Sequence, residues 1–138
     1  MTAVDFVERA LDRARAKAAG ANVKVRFRRA DVTRLAEHAV GTGFRLVFDG
    51  GCLHGLADSA RDAYTRELGA AVIPGARLIL CAFPRGEMRG VRGINRPEIE
   101  RRFAADWELL SGGVDSGFAA DPKYDPKHPI LVYDLRRR

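Results

Sequence analysis

Three aspartates and one histidine lie where a folded chain could use them for chemistry. Asp5, Asp31 and Asp49 each come at or soon after a short apolar run that is typical of a β-strand, and His54 follows the last of them. Carboxylates accept hydrogen bonds from hydroxyl and amino groups, and an imidazole can bind or release a proton near neutral pH. These four residues are therefore candidates for ligand binding and for acid/base chemistry.

Two of the candidates also have a structural alternative. Asp5 can cap the helix that is predicted after it, and Asp31 can cap the turn that follows, because aspartate side chains accept hydrogen bonds from backbone amides at helix starts. The other histidines, His38 and His128, fall in segments predicted to lie at the surface, and we assign no role to them.

The elements that must position these residues alternate along the chain. Apolar runs predict strands at residues 2–6, 23–27, 44–48, 76–83, 107–110 and 130–135. The first helix is indicated by spacings of three and four between Val7, Ala10, Leu11 and Ala14, and it ends at Gly20. This alternation over residues 1–138 predicts a single domain with a mainly parallel sheet that has helices on both faces.

Three further helices are predicted. A short one covers residues 34–38, and a longer one begins at a capping residue, Asp58 or Ser59. The predicted buried stripe of the longer helix is Ala60, Tyr64, Leu68 and Ala71. The last helix begins at Pro97, just after Asn95 or Arg96. The glycine- and arginine-rich segment 84–96 before it is predicted to be a mobile loop.

Composition narrows the class of protein. The net charge is +6, but the basic residues are spread along the chain and no aromatic residues alternate with them to stack on bases, so a nucleic-acid partner is not favoured. No apolar run approaches the roughly 20 residues that span a bilayer, and the first residues lack the apolar core of a signal peptide. We expect a cytoplasmic protein without membrane contact.

The two cysteines do not indicate a metal centre or a disulfide framework. Cys52 and Cys81 are too few for such a framework and lack metal-ligand spacing. We expect two free thiols and no bound metal.

Four stretches in order resemble class I S-adenosylmethionine-dependent methyltransferases of the small-molecule type. They are TAVDFVERALDRAR, FRRADVTRL, FRLVFDGGCLHGL and ELGAAVIPGARLILCAF, similar to the family's second to fifth strands with their loops and helices. A later stretch, NRPEIERRFAADWELLS, resembles the sixth-strand region. The resemblance implies a three-layer, Rossmann-like α/β fold with a mostly parallel sheet, S-adenosylmethionine as cofactor and a small-molecule methyl acceptor.

The resemblance also implies cofactor contacts. Asp5 would accept hydrogen bonds from both ribose hydroxyls, and Phe6 would pack near the adenine. Asp31 would accept a hydrogen bond from the adenine amino group, and the backbone amide of Val32 would face a ring nitrogen.

The loop after the fourth family strand is implied to face both cofactor and substrate. Asp49 and Gly50 would open toward them, and a small residue lets a ligand approach the backbone closely. His54 is the predicted catalytic acid/base group, although a histidine at this place in the family often packs against or caps the next helix. Segment 84–96 would form a substrate lid.

The first family strand and its GxGxG loop have no counterpart in the sequence. In the family's sheet order, 3-2-1-4-5-7-6, that strand is central, so without it the second and fourth strands have unpaired edges. Arg45 also stands where the family usually has aspartate.

The missing strand leads us to predict little activity for the chain alone. We predict a homo-oligomer, or a partner that supplies the strand. A mis-called start, half of a split enzyme, a swapped assembly and a rearranged protein that has lost catalysis all remain open. The alternative function is a non-catalytic, methyltransferase-like subunit.

Overall fold

The fold is described by a computed structural model that covers residues 1–86, 90–121 and 125–138, with only the backbone of Phe118. Its elements in chain order are β1 (Thr2–Asp5), α1 (Glu8–Gly20), β2 (Arg26–Arg29), a 3-10 turn (Val32–Arg34), β3 (Phe44–Asp49), α2 (Cys52–Gly55), α3 (Asp58–Ala71), β4 (Val72–Ala82), α4 (Arg96–Phe103), β5 (Trp107–Val114), α5 (Ser116–Ala119) and β6 (Leu131–Arg137). No helix in these ranges is long and apolar enough to cross a membrane.

The strands form two sheets. Strands β1 and β2 make a parallel pair, and the second sheet has the order β3-β4-β6-β5. Strand β3 is parallel to β4, whereas β6 runs antiparallel to both β4 and β5. Three strands of the larger sheet therefore point the same way, and helices alternate with strands along the chain. The α/β, Rossmann-like fold with a mostly parallel sheet is confirmed, although β1 and β3 do not pair with each other.

Helices α3 and α4 cover one face of the four-stranded sheet. Leu78 and Leu80 of β4 are fully buried there, beside Leu135 of β6. Side chains alternate between the faces of a strand, so Leu46 and Phe48 of β3 point to the opposite face. They are 64% and 66% exposed. The main core therefore lies on the α3–α4 side.

The two-stranded sheet has a much smaller core. Helix α1 buries only Leu11, and β1 and β2 contain no buried residue. A linking cluster joins this sheet to the larger one. Its buried members are Ala30, Leu35, Val40 and Ala71, and Val4, Val32 and Phe44 pack against them. The linking cluster is thus the apolar contact through which the two sheets are held together.

Several predicted boundaries move. Strand β2 begins at Arg26 rather than Val23, because Arg26 is in register with Thr2 and its amide donates to the carbonyl of Met1. Val23 instead donates to the carbonyl of Ala18, which finishes the helix end, and its side chain is 53% exposed. The helix predicted at 34–38 is replaced by the shorter 3-10 turn.

The borders of α3 and α4 differ in how well the sequence predicts them. Helix α4 begins at Arg96, one residue before the predicted start at Pro97, and Asn95 caps it by accepting a hydrogen bond from the Glu98 amide. The residue before α3 is Ala57, which has no side chain able to cap, so the predicted cap at Asp58 or Ser59 is wrong. Tyr64, Leu68 and Ala71 are buried as predicted, but Ala60 is only half-buried.

Candidate functional site

The carboxyl ends of the first three strands converge on one region. Asp5 ends β1, Asp31 follows β2 and Asp49 ends β3. Cys52 is partly exposed, yet burial of its sulfur, followed by the negative charges of Asp49, Asp5 and Asp31, raises the pKa of the thiol to about 12. The charges of all three carboxylates therefore act on this sulfur. We call these four residues the acidic corner.

Asp5 has one oxygen in use and one available. Its Oδ1 accepts a hydrogen bond from the amide of Val7 at 2.8 Å, and Oδ2 has no partner in the described part of the chain. The neighbouring Phe6 is 66% exposed, with the guanidinium of Arg29 at 5.8 Å from its ring centroid. Asp5 thus binds the amide of Val7, the residue just before α1, but it does not cap the helix as the structural alternative predicted. Its second oxygen can still accept a hydrogen bond from a ligand.

Asp31 has the same arrangement. Its Oδ1 accepts hydrogen bonds from the amide of Thr33 at 2.8 Å and from the Thr33 hydroxyl at 2.7 Å. These two bonds hold the pKa of the carboxyl below its usual value, so the group is ionised near neutral pH. Val32 is half-buried and packs against both hydrophobic clusters, which fixes the backbone beside Asp31. Asp31 therefore caps the turn and keeps Oδ2 available in the described structure.

Asp49 differs because it is turned inward. Its Oδ1 accepts from the amides of Gly51 and Cys52 at 2.8 and 2.6 Å, and its Oδ2 accepts from the amide of Leu53 at 3.1 Å. The hydroxyl of Tyr64 donates to Oδ2 at 2.8 Å. A carboxylate has about four acceptor positions, and these four donors fill them. Asp49 thus holds the loop after β3 and has no free position for a ligand.

The glycine that this loop needs is Gly51. Gly51 has a φ of 107°, and a Cβ added there would lie 3.0 Å from the Cε1 atom of His54. A Cβ on Gly50 would meet only the side chain of Phe48, at 3.3 Å. The sequence singled out Gly50, whereas backbone conformation and close packing both place the requirement one residue later.

His54 lies between the ends of β3 and β4. Its Nδ1 accepts a hydrogen bond from the amide of Phe83 at 3.0 Å, so the neutral ring carries its hydrogen on Nε2. Burial is the main cause that lowers the pKa of the ring below its usual value, with Asp49 opposing and Arg61 reinforcing the shift. Proton uptake at Nδ1 would therefore require the bond to Phe83 to break.

A protein-family model described as "Methyltransferase domain" matches residues 1–75, more than half of the chain. The chain belongs to this family. The match covers all four residues of the acidic corner. No curated protein matches the sequence.

Solved structures match the methyltransferase domain along almost its whole length. A 1,6-didemethyltoxoflavin-N1-methyltransferase from Burkholderia thailandensis is 23% identical with a TM-score of 0.73, over 99% of this chain and 60% of that protein. The N-methyltransferase NodS from Bradyrhizobium japonicum is 15% identical with a TM-score of 0.75, over 99% and 65% of the two chains. Both of those structures contain S-adenosylhomocysteine. The domain spans about 60–65% of the length of these two proteins.

Arg61 of α3 is a buried residue next to His54 that the sequence did not reveal. Its side chain is fully buried, and it donates to the carbonyls of Leu56, His54 and Gly93 as well as to Glu98. Arginine is rarely buried without a partner. The signal that could have found it is the acidic Glu98 on the next helix, but nothing in the sequence pairs the two.

Glu98 accepts hydrogen bonds from three arginines. Burial opposes its ionisation, but hydrogen bonds from Arg85, Arg102 and Arg61 overcome this and hold the pKa of the carboxyl at about 2. Arg61 and Glu98 together connect helix α2, the loop after β4 and helix α4. The backbone beside His54 is fixed by this buried ion pair.

The predicted mobile loop is anchored at both ends. The amide of Ile94 donates to the carbonyl of Phe83 at 3.0 Å. Gly93 has a φ of 68°, and a Cβ there would lie 2.3 Å from the carbonyl oxygen of Pro84, so only glycine fits. Residues 87–89 lie outside the described residues, and the lid stays a prediction.

No group of three or more histidine, cysteine, aspartate or glutamate side chains within the described ranges is arranged to hold a metal ion.

Proposed function

We propose that this chain is an S-adenosylmethionine-dependent methyltransferase domain that acts on a small molecule. Family membership supports the reaction class, and one observation supports the site. Asp5 and Asp31 each keep one carboxylate oxygen without a partner in the described chain, at the carboxyl ends of adjacent parallel strands. Ligands of open α/β sheets bind at this edge.

The residues of the acidic corner fit an adenosine group. The free oxygen of Asp5 accepts hydrogen bonds from ribose hydroxyls, and the exposed ring of Phe6 offers an apolar face to the adenine. The free oxygen of Asp31 accepts from the adenine amino group, and the amide of Val32 faces a ring nitrogen. When bound, S-adenosylmethionine supplies an electrophilic methyl group.

The loop after β3 acts through its shape. Asp49 contributes by holding the backbone of residues 50–53, and Gly50 leaves room for a ligand to approach. His54 is the remaining candidate for a direct role in catalysis. With Nδ1 occupied by the Phe83 amide, its neutral ring can donate a hydrogen bond from Nε2 to an acceptor atom of the substrate.

The small-molecule substrate is proposed by analogy. The matching Burkholderia enzyme has 1,6-didemethyltoxoflavin bound. In methyl transfer, the protein mainly aligns the acceptor atom with the methyl group. Segment 84–96, fixed at its ends beside His54, is the proposed lid over the acceptor.

Calorimetry with S-adenosylhomocysteine tests the site. A hydrogen bond to a charged group contributes about 1.5–3 kcal/mol, so Asp5→Ala and Asp31→Ala should each weaken binding about tenfold or more. Asp12→Ala is the matched control, because Asp12 is exposed on α1, away from the corner. Equal affinity for wild type and Asp5→Ala would rule out the assigned role of Asp5.

The gap between the two sheets supports a second part of the proposal. Strands β1 and β3 each have an edge with no strand partner in the described structure, and unpaired edges are usually covered or paired. We propose that residues 1–138 form one domain, held together by the linking cluster, and that a strand from a second copy or from a partner fills the gap. On its own, the chain should transfer methyl groups poorly.

Light scattering tests which molecule supplies the strand between β1 and β3. A second copy as strand donor gives the mass of a dimer or a larger assembly, whereas a separate partner leaves the isolated chain monomeric. The open edges also favour the alternative, a non-catalytic subunit that binds a protein partner. That alternative gains support if the assembled protein binds no S-adenosylhomocysteine. A monomer that turns over at about 1 per second or faster would contradict the proposed incompleteness.

A further inference from the structure

A groove lies at the end of the molecule opposite the acidic corner. Its volume is about 350 Å³, and it runs between α3 and the start of β5. Trp107 in its wall is in register with Arg137 of β6, which lies next to the amino-terminal part of β4. Asp49 is in register with Leu80, near the carboxyl end of β4. The groove is therefore separate from the proposed methyl-transfer site.

Three arginines from three different elements line the groove. Arg66 of α3 is exposed and has no ion pair or hydrogen bond in the described structure. Arg102 of α4 uses Nε and Nη1 for Glu98 and Asp62, and its Nη2 has no described partner. Arg137 of β6 binds Asp106 through Nη1 only. Each guanidinium thus keeps donors that an incoming acceptor could use.

The groove wall also contains an unpaired buried donor. The indole of Trp107 is 2% exposed and packs edge-on against Phe103. Its Nε1 atom is the one buried side-chain polar atom, among the residues described, that has no hydrogen-bond partner. A buried donor without an acceptor is unfavourable, and Trp107 is one of the residues that line the groove.

Small residues keep the groove open. Gly69 in α3 lines it together with Ala70 and Ala105. A Cβ on Gly69 would lie 3.7 Å from Oδ2 of Asp106 and 3.9 Å from Nε of Arg137, which are ordinary contact distances. The helix would therefore tolerate alanine at this position, and glycine leaves space beside Arg137.

We propose that this groove binds a small ligand through a phosphate group. Guanidinium groups match phosphate and carboxylate oxygens. The guanidinium donors come from three separate elements, which suits a tetrahedral group with several oxygens better than a planar carboxylate. Asp62 and Glu98 pair with Arg102, and Asp106 pairs with Arg137, so Arg66 is the arginine of the lining that has no acidic partner in the described structure and whose charge favours an anion.

The single tryptophan of the chain makes the proposal testable. Trp107 fluorescence would be followed while the full chain is titrated with inorganic phosphate, and separately with glycerol 3-phosphate, against potassium chloride at matched ionic strength. The variants are Arg66→Ala and Gly69→Ala. Arg13→Ala is the matched control, since Arg13 is exposed on α1.

We expect a saturable change with phosphate, weakened about tenfold or more by Arg66→Ala, as for the loss of a charge-assisted hydrogen bond, and unchanged by Arg13→Ala. Gly69→Ala should also weaken binding. Tighter binding of glycerol 3-phosphate than of phosphate would identify an organic phosphate ligand, and equal binding would identify the free ion. A change that potassium chloride reproduces, or one that Arg66→Ala leaves intact, would overturn the proposal. S-adenosylhomocysteine affinity should be the same in Arg66→Ala, which separates this test from that of the methyltransferase site.

Discussion

The two sheets of this domain bury their apolar surface to very different extents. In the four-stranded sheet, Leu78, Leu80 and Leu135 are fully buried beneath α3 and α4. In the two-stranded sheet no strand residue is buried, and α1 buries Leu11 alone. The polar groups follow the same division, since Asp49 is saturated by protein donors while Asp5 has a free oxygen. The four-stranded sheet carries the stability of the domain, and the two-stranded sheet carries the unsatisfied groups that a ligand can use.

Hydrogen exchange should show this division with the largest effect. Local opening costs from about zero to the full free energy of unfolding, and about 1.4 kcal/mol corresponds to a tenfold change. We expect the amides bonded between β4 and β6 to exchange at least about a hundredfold more slowly than those between β1 and β2. Equal protection in both sheets would show that the linking cluster makes them one cooperative unit.

The Arg61–Glu98 pair should provide the next largest effect. In Arg61→Met, a buried carboxylate loses one partner and three backbone carbonyls lose their donor. Breaking a buried pair on one side costs about 3–5 kcal/mol, which urea unfolding would measure. Arg101→Met is the control, because Arg101 is exposed on the same helix as Glu98. A loss of unfolding free energy no larger than that of Arg101→Met would mean that the Arg61–Glu98 pair does not stabilise the four-stranded sheet and its helices.

Tyr64→Phe should have a smaller effect confined to the acidic corner. It removes the hydroxyl that donates to Oδ2 of Asp49, and a hydrogen bond to a charged group is worth about 1.5–3 kcal/mol. Urea unfolding should show this loss, and exchange at the loop after β3 should quicken while exchange in β1 stays the same. If β1 responds equally, the corner is coupled to both sheets.

The pH dependence of His54 should be the smallest effect. Its folded pKa is depressed, so the unfolded chain binds the proton more strongly. The contribution of neutral His54 to the free energy of unfolding is fully present above the ordinary histidine pKa of about 6.5. It is lost as the pH falls from that value through the lower pKa of the folded protein. His54→Asn, which keeps an acceptor near Nδ1, should flatten this slope between pH 7 and 5. An unchanged slope in His54→Asn would assign the titration elsewhere.

The sequence predicts the elements better than it predicts their polar contacts. Alternating apolar runs gave the order of strands and helices, and the Asn95 cap follows from its side chain and Pro97. The start of β2 could not be predicted, because it depends on register with β1 rather than on local hydrophobicity. Arg61 was missed for a similar reason, since its partners come from α2, the loop after β4 and α4.

The candidate site shows the same limit. The positions of Asp5, Asp31 and Asp49 at the strand ends were predictable from the strands themselves. That Asp49 faces inward depends on Tyr64, which reaches it from α3 only after that helix has packed on the sheet. Local sequence therefore gives the place of an acidic residue but not the direction of its carboxylate.

The open edge of β3 has a consequence for how this protein behaves at high concentration. Its sequence, FRLVFD, is short, rich in β-formers and exposes Leu46 and Phe48. Segments of this kind can recruit identical segments and grow into aggregates. Arg45 interrupts the apolar run, and a charge on an exposed edge makes self-association repulsive. Arg45 thus opposes self-association through the exposed edge of β3.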